Sequence, residues 1–407
     1  MRLFLTLAAL YLSVLLLQLS SGGVGPLDAL SGLKLGFTTP QIGLLGSAHF
    51  FGFFIGCWWA PRLMGEVGPS RAYAAFTALG AIGLLAHILT DVPLAWALFR
   101  VMSGLCIAGS YTVIEAWLQA RATNETRGRA MGTYRIVDLG ASLAAQAMIG
   151  VLEPASYISY TVLTLICCAA ILPLAMTRLT PPPVGKRPRL DPRLPLARSP
   201  LAVAAVLVAA LGTAAFRMVG PVYAETQGLT AGQIALFLSA FVAGGALSQY
   251  PVGWIADAKD RRWVLIWLSA AAAAASLATA TLPSGPPWQT FALAALFGFT
   301  SMPIYSVAAA HAHDFAASDE RVELSAALLF YYALGAIAAP LGASWLMQVQ
   351  GPGALFALIA AGHVVLVIFG LARMRVRPAD AKTRYVWTPR TSFTIGGLTR
   401  RDREKKP

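Results

Sequence analysis

The strongest constraint on this chain is that its membrane-length pattern is written twice, in the same direction. The stretch TTPQIGLLGSAHFFGFFIG (38–56) returns as TAGQIALFLSAFVAGGALS (230–248). Gly104 and Tyr111 return as Gly298 and Tyr305, and Arg127 and Gly140 return as Arg321 and Gly335. Gly25-Pro26 closes a first apolar run, and Gly220-Pro221 closes its counterpart. Two parallel copies of one membrane unit predict a pseudo-two-fold axis along the membrane normal, with a site between the halves.

Composition says that the unit belongs in a bilayer. Mean hydropathy is +0.65, with 57% hydrophobic and 12% charged residues over 407 positions. A water-soluble domain of this size does not carry that balance. Apolar runs predict twelve spans, at 4–24, 40–60, 71–90, 93–119, 130–151, 157–177, 200–223, 231–256, 262–282, 287–312, 323–348 and 352–373. The runs are continuous rather than alternating, which selects an all-α polytopic bundle over a barrel. Residues 1–21 also resemble a secretory leader, with Arg2 before an apolar core and Ser20-Ser21-Gly22 after it. We read an uncleaved first helix, because cleavage would leave eleven spans and break the repeat.

Charge orients the bundle. Arg62 and Arg71 follow span 2, Arg121, Arg127 and Arg129 follow span 4, and Lys259, Arg261 and Arg262 follow span 8. The opposite loops hold little beyond Lys34. The positive-inside rule therefore puts both termini and the central loop in the cytoplasm. The net charge of +13 is concentrated in those loops and the tail, with no folded basic domain of the kind that binds nucleic acid. The chain divides into a six-helix half at 1–178, a Pro/Arg-rich cytoplasmic linker at 179–199, a second half at 200–373 and a basic, disordered tail at 374–407. The linker reads as extended and solvated; the tail reads as lying near anionic lipid. Cys57, Cys106, Cys167 and Cys168 all fall inside spans without metal-site spacing, so they read as packing residues.

The loop GWIADAKDRR (253–262) resembles the signature of the major facilitator superfamily, with Gly253, Asp257, Arg261 and Arg262 at the motif positions. RVMSGLCIAG (100–109) resembles that family's fourth-helix motif through Arg100 and Gly104. YSVAAAHAHD (305–314) with ALLFYYALGAIAAPL (327–341) is similar to the YcaD-like subgroup. The resemblance covers nearly the whole chain and implies alternating access by two six-helix halves. The first half departs from the pattern: after Gly56 the expected aspartate is Ala60, with Arg62, Glu66 and Arg71 nearby.

Charges inside spans cost about 2.5–3.5 kcal/mol on insertion scales, so each is a functional candidate. At about 1.5 Å per residue, Arg100 lies roughly 9 Å outside the midplane on span 4 and Arg217 roughly 8 Å outside it on span 7. One guanidinium from each half at one depth suits a carboxylate, phosphate or sulfonate. Competing readings are a structural arginine and, by resemblance, a proton-coupling role for Arg100. Asp138 lies roughly 5 Å inside the midplane; it reads either as an ion pair with Arg135 one turn earlier or as a proton-coupling acid. Glu115, roughly 13 Å inside, reads as a gate partner of Arg121, Arg127 or Arg135, or as a coupling group. His49 is a titratable candidate at mid-membrane, whereas His363 reads as packing. His311 and His313, two apart on a helix, point to different faces and imply no metal. Tyr111 and Tyr305 are candidate substrate contacts, as are Trp117, Tyr134, Tyr331 and Tyr332, each with core packing as the alternative. Asp257, Arg261, Arg262 and Asp314 read as a cytoplasmic gate whose ion pairs tie spans 8 to 11 together in one state, with a charged turn that only enforces topology as the alternative.

With no nucleotide cradle in the sequence, these readings converge on a secondary transporter of the cell inner membrane. It is expected to act as a monomer, without cofactor or enzymatic activity, as a symporter or antiporter. The cargo is a small molecule moved by alternating access with proton coupling, and a small organic anion is favoured. The alternatives are an exporter of amphipathic drug-like compounds, a non-transporting sensor on the same scaffold, and an embedded enzyme, for which no nucleophile–base set is visible. The repeat's mismatches mark the candidates: Arg100 against Ala294, Glu115 against Ala309, Asp138 against Ala333, His49 against Phe241 and Arg217 against Gly22.

Overall fold

A computed structural model describes residues 2–121, 126–176, 190–282, 285–317 and 320–376. The first half comprises α1 (Arg2–Gly22), α2 (Val24–Lys34), α3 (Thr39–Val67), α4 (Pro69–Ala86), α5 (Pro93–Arg121), α6 (Arg127–Met148), α7 (Tyr157–Ala169) and α8 (Ile171–Ala175). The second comprises α9 (Arg193–Arg198), α10 (Pro200–Thr226), α11 (Ala231–Ala258), α12 (Arg261–Thr281), α13 (Pro287–Ser301), α14 (Ile304–Asp314), α15 (Arg321–Gln350) and α16 (Ala354–Val376). There is no strand among the described residues. Among the described residues, eleven helical stretches are long and apolar enough to cross a bilayer. α6 has the length but carries Arg127, Arg129, Arg135 and Asp138, and stands outside that set.

The duplication is built into the backbone. Thr38 and Gln41 cap α3 reciprocally, and Thr230 and Gln233 do the same for α11, so the repeated T-x-x-Q is a pair of capping boxes. A Cβ on Gly52 would overlap the Val101 carbonyl, and one on Gly104 the His49 carbonyl. In the second half Gly244 meets the Ala295 carbonyl and Gly298 the Phe241 carbonyl in the same way. Both crossings, α3 on α5 and α11 on α13, therefore need the bare backbone of glycine to reach contact distance.

Two expected boundaries are wrong. The first span does not close at Gly25-Pro26: an apolar helical stretch runs from Leu7 to Lys34, bent between α1 and α2. Pro26 falls in the first turn of α2, where its missing N–H breaks no helical bond, and Leu27 N–H carries the ladder across to Gly23 O at 3.0 Å. Nor does Gly220-Pro221 end its helix, because α10 continues to Thr226 with Pro221 inside it. A proline there removes the bond to the carbonyl four residues back, that of Arg217. The linker is also not extended throughout. Its end forms α9, and Tyr331 Oη donates to Pro192 O at 2.9 Å while Arg198 Nε donates to Glu320 Oε2 at 2.9 Å. The rest of the linker reading, and the tail beyond Val376, lie outside the described residues. Cys57, Cys106 and Cys167 are buried as packing residues, but Cys168 is exposed.

The halves meet unequally at their two ends. At the end bearing Lys34 they share one buried core, in which Val24, Leu27 and Leu45 join Val219, Val222 and Ile234. At the end bearing Arg261 each half has its own. Leu10, Tyr73 and Trp117 belong to the first, and Val206, Leu265 and Leu328 to the second. A small contact of Cys57 and Ala108 with Ala326 and Leu329 is the bridging cluster there.

Candidate functional site

Between the halves lies a cavity of about 450 Å³, within the roughly 300–1,000 Å³ typical of small-molecule sites. It is lined from α1, α2, α3, α5 and α6 on one side and from α10, α11, α14 and α15 on the other. Arg100, Arg217, Tyr111, Tyr305, Asp138 and His49 all line it. Glu115 does not: it is fully buried in the first half's own core, where Tyr134 Oη donates to Glu115 Oε1 at 2.9 Å.

Arg100 is 4% exposed, so its charge needs a partner. That partner is Asp28 on α2, with Arg100 Nε 3.4 Å from Asp28 Oδ2. Tyr160 Oη donates to the other oxygen, Oδ1, at 2.8 Å. His87 Nε2 stands 3.6 Å from Oδ2, its Nδ1 bonds Gly83 O at 2.7 Å, and its ring stacks on Tyr160 at 5.1 Å. Asp28 is fully buried. Neither Nε nor Nη1 of Arg100 makes a hydrogen bond. A Cβ on Gly25 would lie 3.7 Å from Arg100 Nη2 and 4.0 Å from the Arg217 carbonyl. Gly25 thus lies against both the Arg100 guanidinium and α10 of the opposite half.

Sequence reasoning misses Asp28, His87 and Tyr160, because closing span 1 at Gly25-Pro26 leaves Asp28 outside the membrane. A signal is nevertheless present: Asp28 sits between Leu27 and Ala29-Leu30, a single acid in an apolar stretch.

Asp138 faces the cavity from α6, and Tyr111 Oη lies 2.6 Å from Asp138 Oδ1 and 2.7 Å from Gln18 Oε1. Arg135 lines the same wall. The Tyr111 and Tyr134 rings are 6.5 Å apart at 70°, so the Asp138–Tyr111 and Tyr134–Glu115 pairs are neighbours along the first half. Of the other aromatics, Tyr332 lines the cavity, Trp117 and Tyr134 are core, and Tyr331 holds the linker. His363 is fully buried with neither ring nitrogen hydrogen-bonded, 6.3 Å from the Phe297 ring. His313 Nε2 pairs with Ser325 Oγ at 3.0 Å, while His311 packs on Phe315.

The second half's wall differs in kind. Phe216 and Phe241 stack at 4.3 Å and are backed by Phe297. Phe216 and Phe241 line the cavity with Leu238, Val242 and Met302, beside the polar Thr213, Gln249, Tyr305 and Ser306 of the same half.

At the Arg261 end, Arg261 pairs with Asp257 at 3.2 Å and with Asp314, joining α11, α12 and α14. Arg262 is held at 2.7 Å by Asp260, the N-cap of its own helix. These bonds lie within one half, so they stiffen that half rather than bridging to the other. Burial pushes the Asp260 carboxyl up, but the bonds from Arg262 outweigh it and hold it below the usual range. The bond from Arg198 holds Glu320 below its usual range too.

The profile of the Major Facilitator Superfamily matches residues 10–231 and 201–403. The MFS-type transporter YcaD of Escherichia fergusonii is 26% identical over 339 residues, covering 83% of this chain and 87% of that protein. YcaD of Salmonella typhi is 26% identical over 367 residues, covering 90% and 95%. The solved nucleoside transporter NupG superposes with a TM-score of 0.75 at 14% identity over 92% of this chain and 100% of its own. A D-xylose-proton symporter gives 0.68 at 13% over 91% and 97%. At such identities the structural likeness speaks to the fold. With both halves matched and a cavity enclosed between them, this chain belongs to the Major Facilitator Superfamily, as a multi-pass transporter of small molecules rather than an enzyme.

Proposed function

We propose that the protein moves a small organic anion across the cell inner membrane by proton-coupled alternating access. In this reading α6 is the twelfth span and both termini are cytoplasmic, so the Arg261 end is the inner one. The carrying observation is that each half lends an arginine, Arg100 or Arg217, to one cavity. Guanidinium groups hold carboxylate, phosphate or sulfonate in a fixed fork, and dry surroundings strengthen the attraction. The separate cores at the Arg261 end support an inward-open arrangement.

Two carboxylates are placed for coupling. Asp138 lies on the cavity wall beside Tyr111, with Tyr134 and Glu115 beyond it toward the inner end. Asp28 shares Arg100 with the cavity, so an anion drawn to Arg100 competes with Asp28 for the same guanidinium. His49 lines the same cavity as a further titratable group. The gate residues Asp257, Arg261 and Asp314 hold the second half as one body while the halves rock.

Proteoliposomes test this reading. An organic anion is expected to accumulate when an inward proton gradient is imposed. Saturable binding without flux would instead make the protein a sensor.

A further inference from the structure

We infer that His87 and Asp28 hold one proton between them, on the line from Nε2 to Oδ2, and that this buried pair carries the coupled proton. This rests on the proton-coupled reading above and names the proton's site.

The first argument is where the hydrogens can go. His87 lies just past α4, and its side chain and that of Asp28 are both fully buried. Its Nδ1 bonds Gly83 O at 2.7 Å. A carbonyl only accepts, so Nδ1 carries the ring's hydrogen and Nε2 of a neutral ring offers a lone pair. That nitrogen stands 3.6 Å from Asp28 Oδ2, which as a carboxylate oxygen also only accepts. Neither atom makes a hydrogen bond, and Arg100 Nε, 3.4 Å from the same oxygen, makes none either. Two acceptors facing one another in a dry site are costly. One proton on the line between them makes a donor and an acceptor, and an approach of a few tenths of an ångström then gives an ordinary bond.

The second argument is the surroundings of the ring. Tyr160 stacks on His87 at 5.1 Å and 8°, while Trp96 and Phe99 close in at 4.8 and 5.4 Å. A ring face attracts a cation, so this box seats an imidazolium as well as an imidazole. The charged or titratable groups around His87 are Asp28 on α2, Arg100 on α5 and Tyr160 on α7. Tyr160 Oη donates to Asp28 Oδ1 at 2.8 Å, which leaves Oδ2 to His87 and Arg100.

The third argument links the pair to the cavity. Arg100 lines the cavity, whereas Asp28 and His87 lie behind it. A negative charge bound at Arg100 and a proton bound at His87–Asp28 cancel, whatever the other charged groups nearby contribute. Either one alone changes the local charge by one, which is penalised where water is scarce. Cargo and proton therefore load together.

The test uses the full chain, labelled with ¹⁵N-histidine, in lipid nanodiscs. The His87 signals are those lost in His87→Gln, which keeps hydrogen-bonding atoms but cannot titrate. Trp96→Phe, which moves the His87 signals by removing a neighbouring indole, assigns them if that variant fails to fold. Nδ1 is expected to carry hydrogen throughout a titration from about pH 8 to 5, and Nε2 to gain one. Asp28→Asn is expected to abolish the gain. In proteoliposomes, radiolabelled benzoate, succinate, ethanesulfonate and glycerol phosphate serve as probes. His87→Gln is expected to lower uptake driven by a proton gradient at least ten-fold more than it lowers exchange of internal for external probe. A merely structural role would lower both alike.

No gain of hydrogen at Nε2, a gain that survives Asp28→Asn, or equal losses of uptake and exchange overturns this inference and leaves the proton-coupled reading standing. Wild-type uptake indifferent to the proton gradient, or no saturable uptake of any probe, overturns both.

Discussion

The α3–α5 and α11–α13 crossings are the same construction holding different chemistry. In both, a pair of glycines lets one backbone rest on the other's carbonyl. Yet where the first crossing carries His49 and Arg100, the second carries Phe241 and Ala294. Steric demand kept the glycines alike in the two copies, while the cavity-facing positions diverged into a charged wall and an aromatic one. The lesson is that similarity between halves locates the scaffold and dissimilarity locates the site.

The comparison is broken most severely at Arg100. Arg100→Gln leaves Asp28 buried without its cation and is expected to cost about 3–5 kcal/mol, the usual penalty for halving a buried pair. Asp28→Asn combined with Arg100→Gln is expected to cost less than the sum of the single changes, read from unfolding midpoints in a double-mutant cycle. Strict additivity would mean that the two do not interact.

The scaffold comes next. Gly104→Leu and Gly298→Leu are each expected to destabilise by about 1–3 kcal/mol or more, because a carbonyl cannot yield as a side chain can. Equal losses of folded protein on size exclusion would bear out the symmetry, and tolerance of one would break it. Arg217→Gln touches the site and not the scaffold. It is expected to weaken binding of the transported anion ten-fold or more, about 1.4 kcal/mol, with the unfolding midpoint held. Asp257→Asn is expected to slow flux while expression stays intact; unchanged flux would remove the gate from the scheme.

The smallest effect concerns pH. Asp260 and Glu320 are held below their ordinary values of 3.8 and 4.5. Depressed carboxyls stabilise the fold fully above those values and lose that stabilisation as pH falls through the lower folded ones. The unfolding midpoint is therefore expected to be flat between about pH 5 and 8 on their account and to drop below about pH 4. Asp260→Asn with Glu320→Gln should flatten the acid limb.

Much of this molecule is legible in the chain because membrane helices announce themselves by length and apolarity, and because helical rise converts residue number into depth. Counting residues along the spans sets Arg100 and Arg217 at one level and Asp138 roughly 14 Å further in, and all three line the cavity. Depth says nothing about azimuth. Nothing in the spacing tells that Glu115, on the same helix as Arg100, turns into the first half's core, or that Arg262 spends its bonds on its own cap. The larger miss comes from treating Pro26 and Pro221 as terminators. Proline ends a helix only when its missing donor and its ring have nowhere to go. Pro26 sits in a first turn, and Pro221 sits inside a helix that runs on to Thr226.

The shared core at the Lys34 end also makes temperature a variable of the transport cycle. Opening that end exposes Leu27, Leu45, Val219 and Val222, so the step carries a positive heat-capacity change, as any exposure of apolar surface does. Such a seam holds less firmly on cooling. The balance between the two facing states is thus expected to shift toward opening at the Lys34 end in the cold, with curved rather than straight Arrhenius plots for flux.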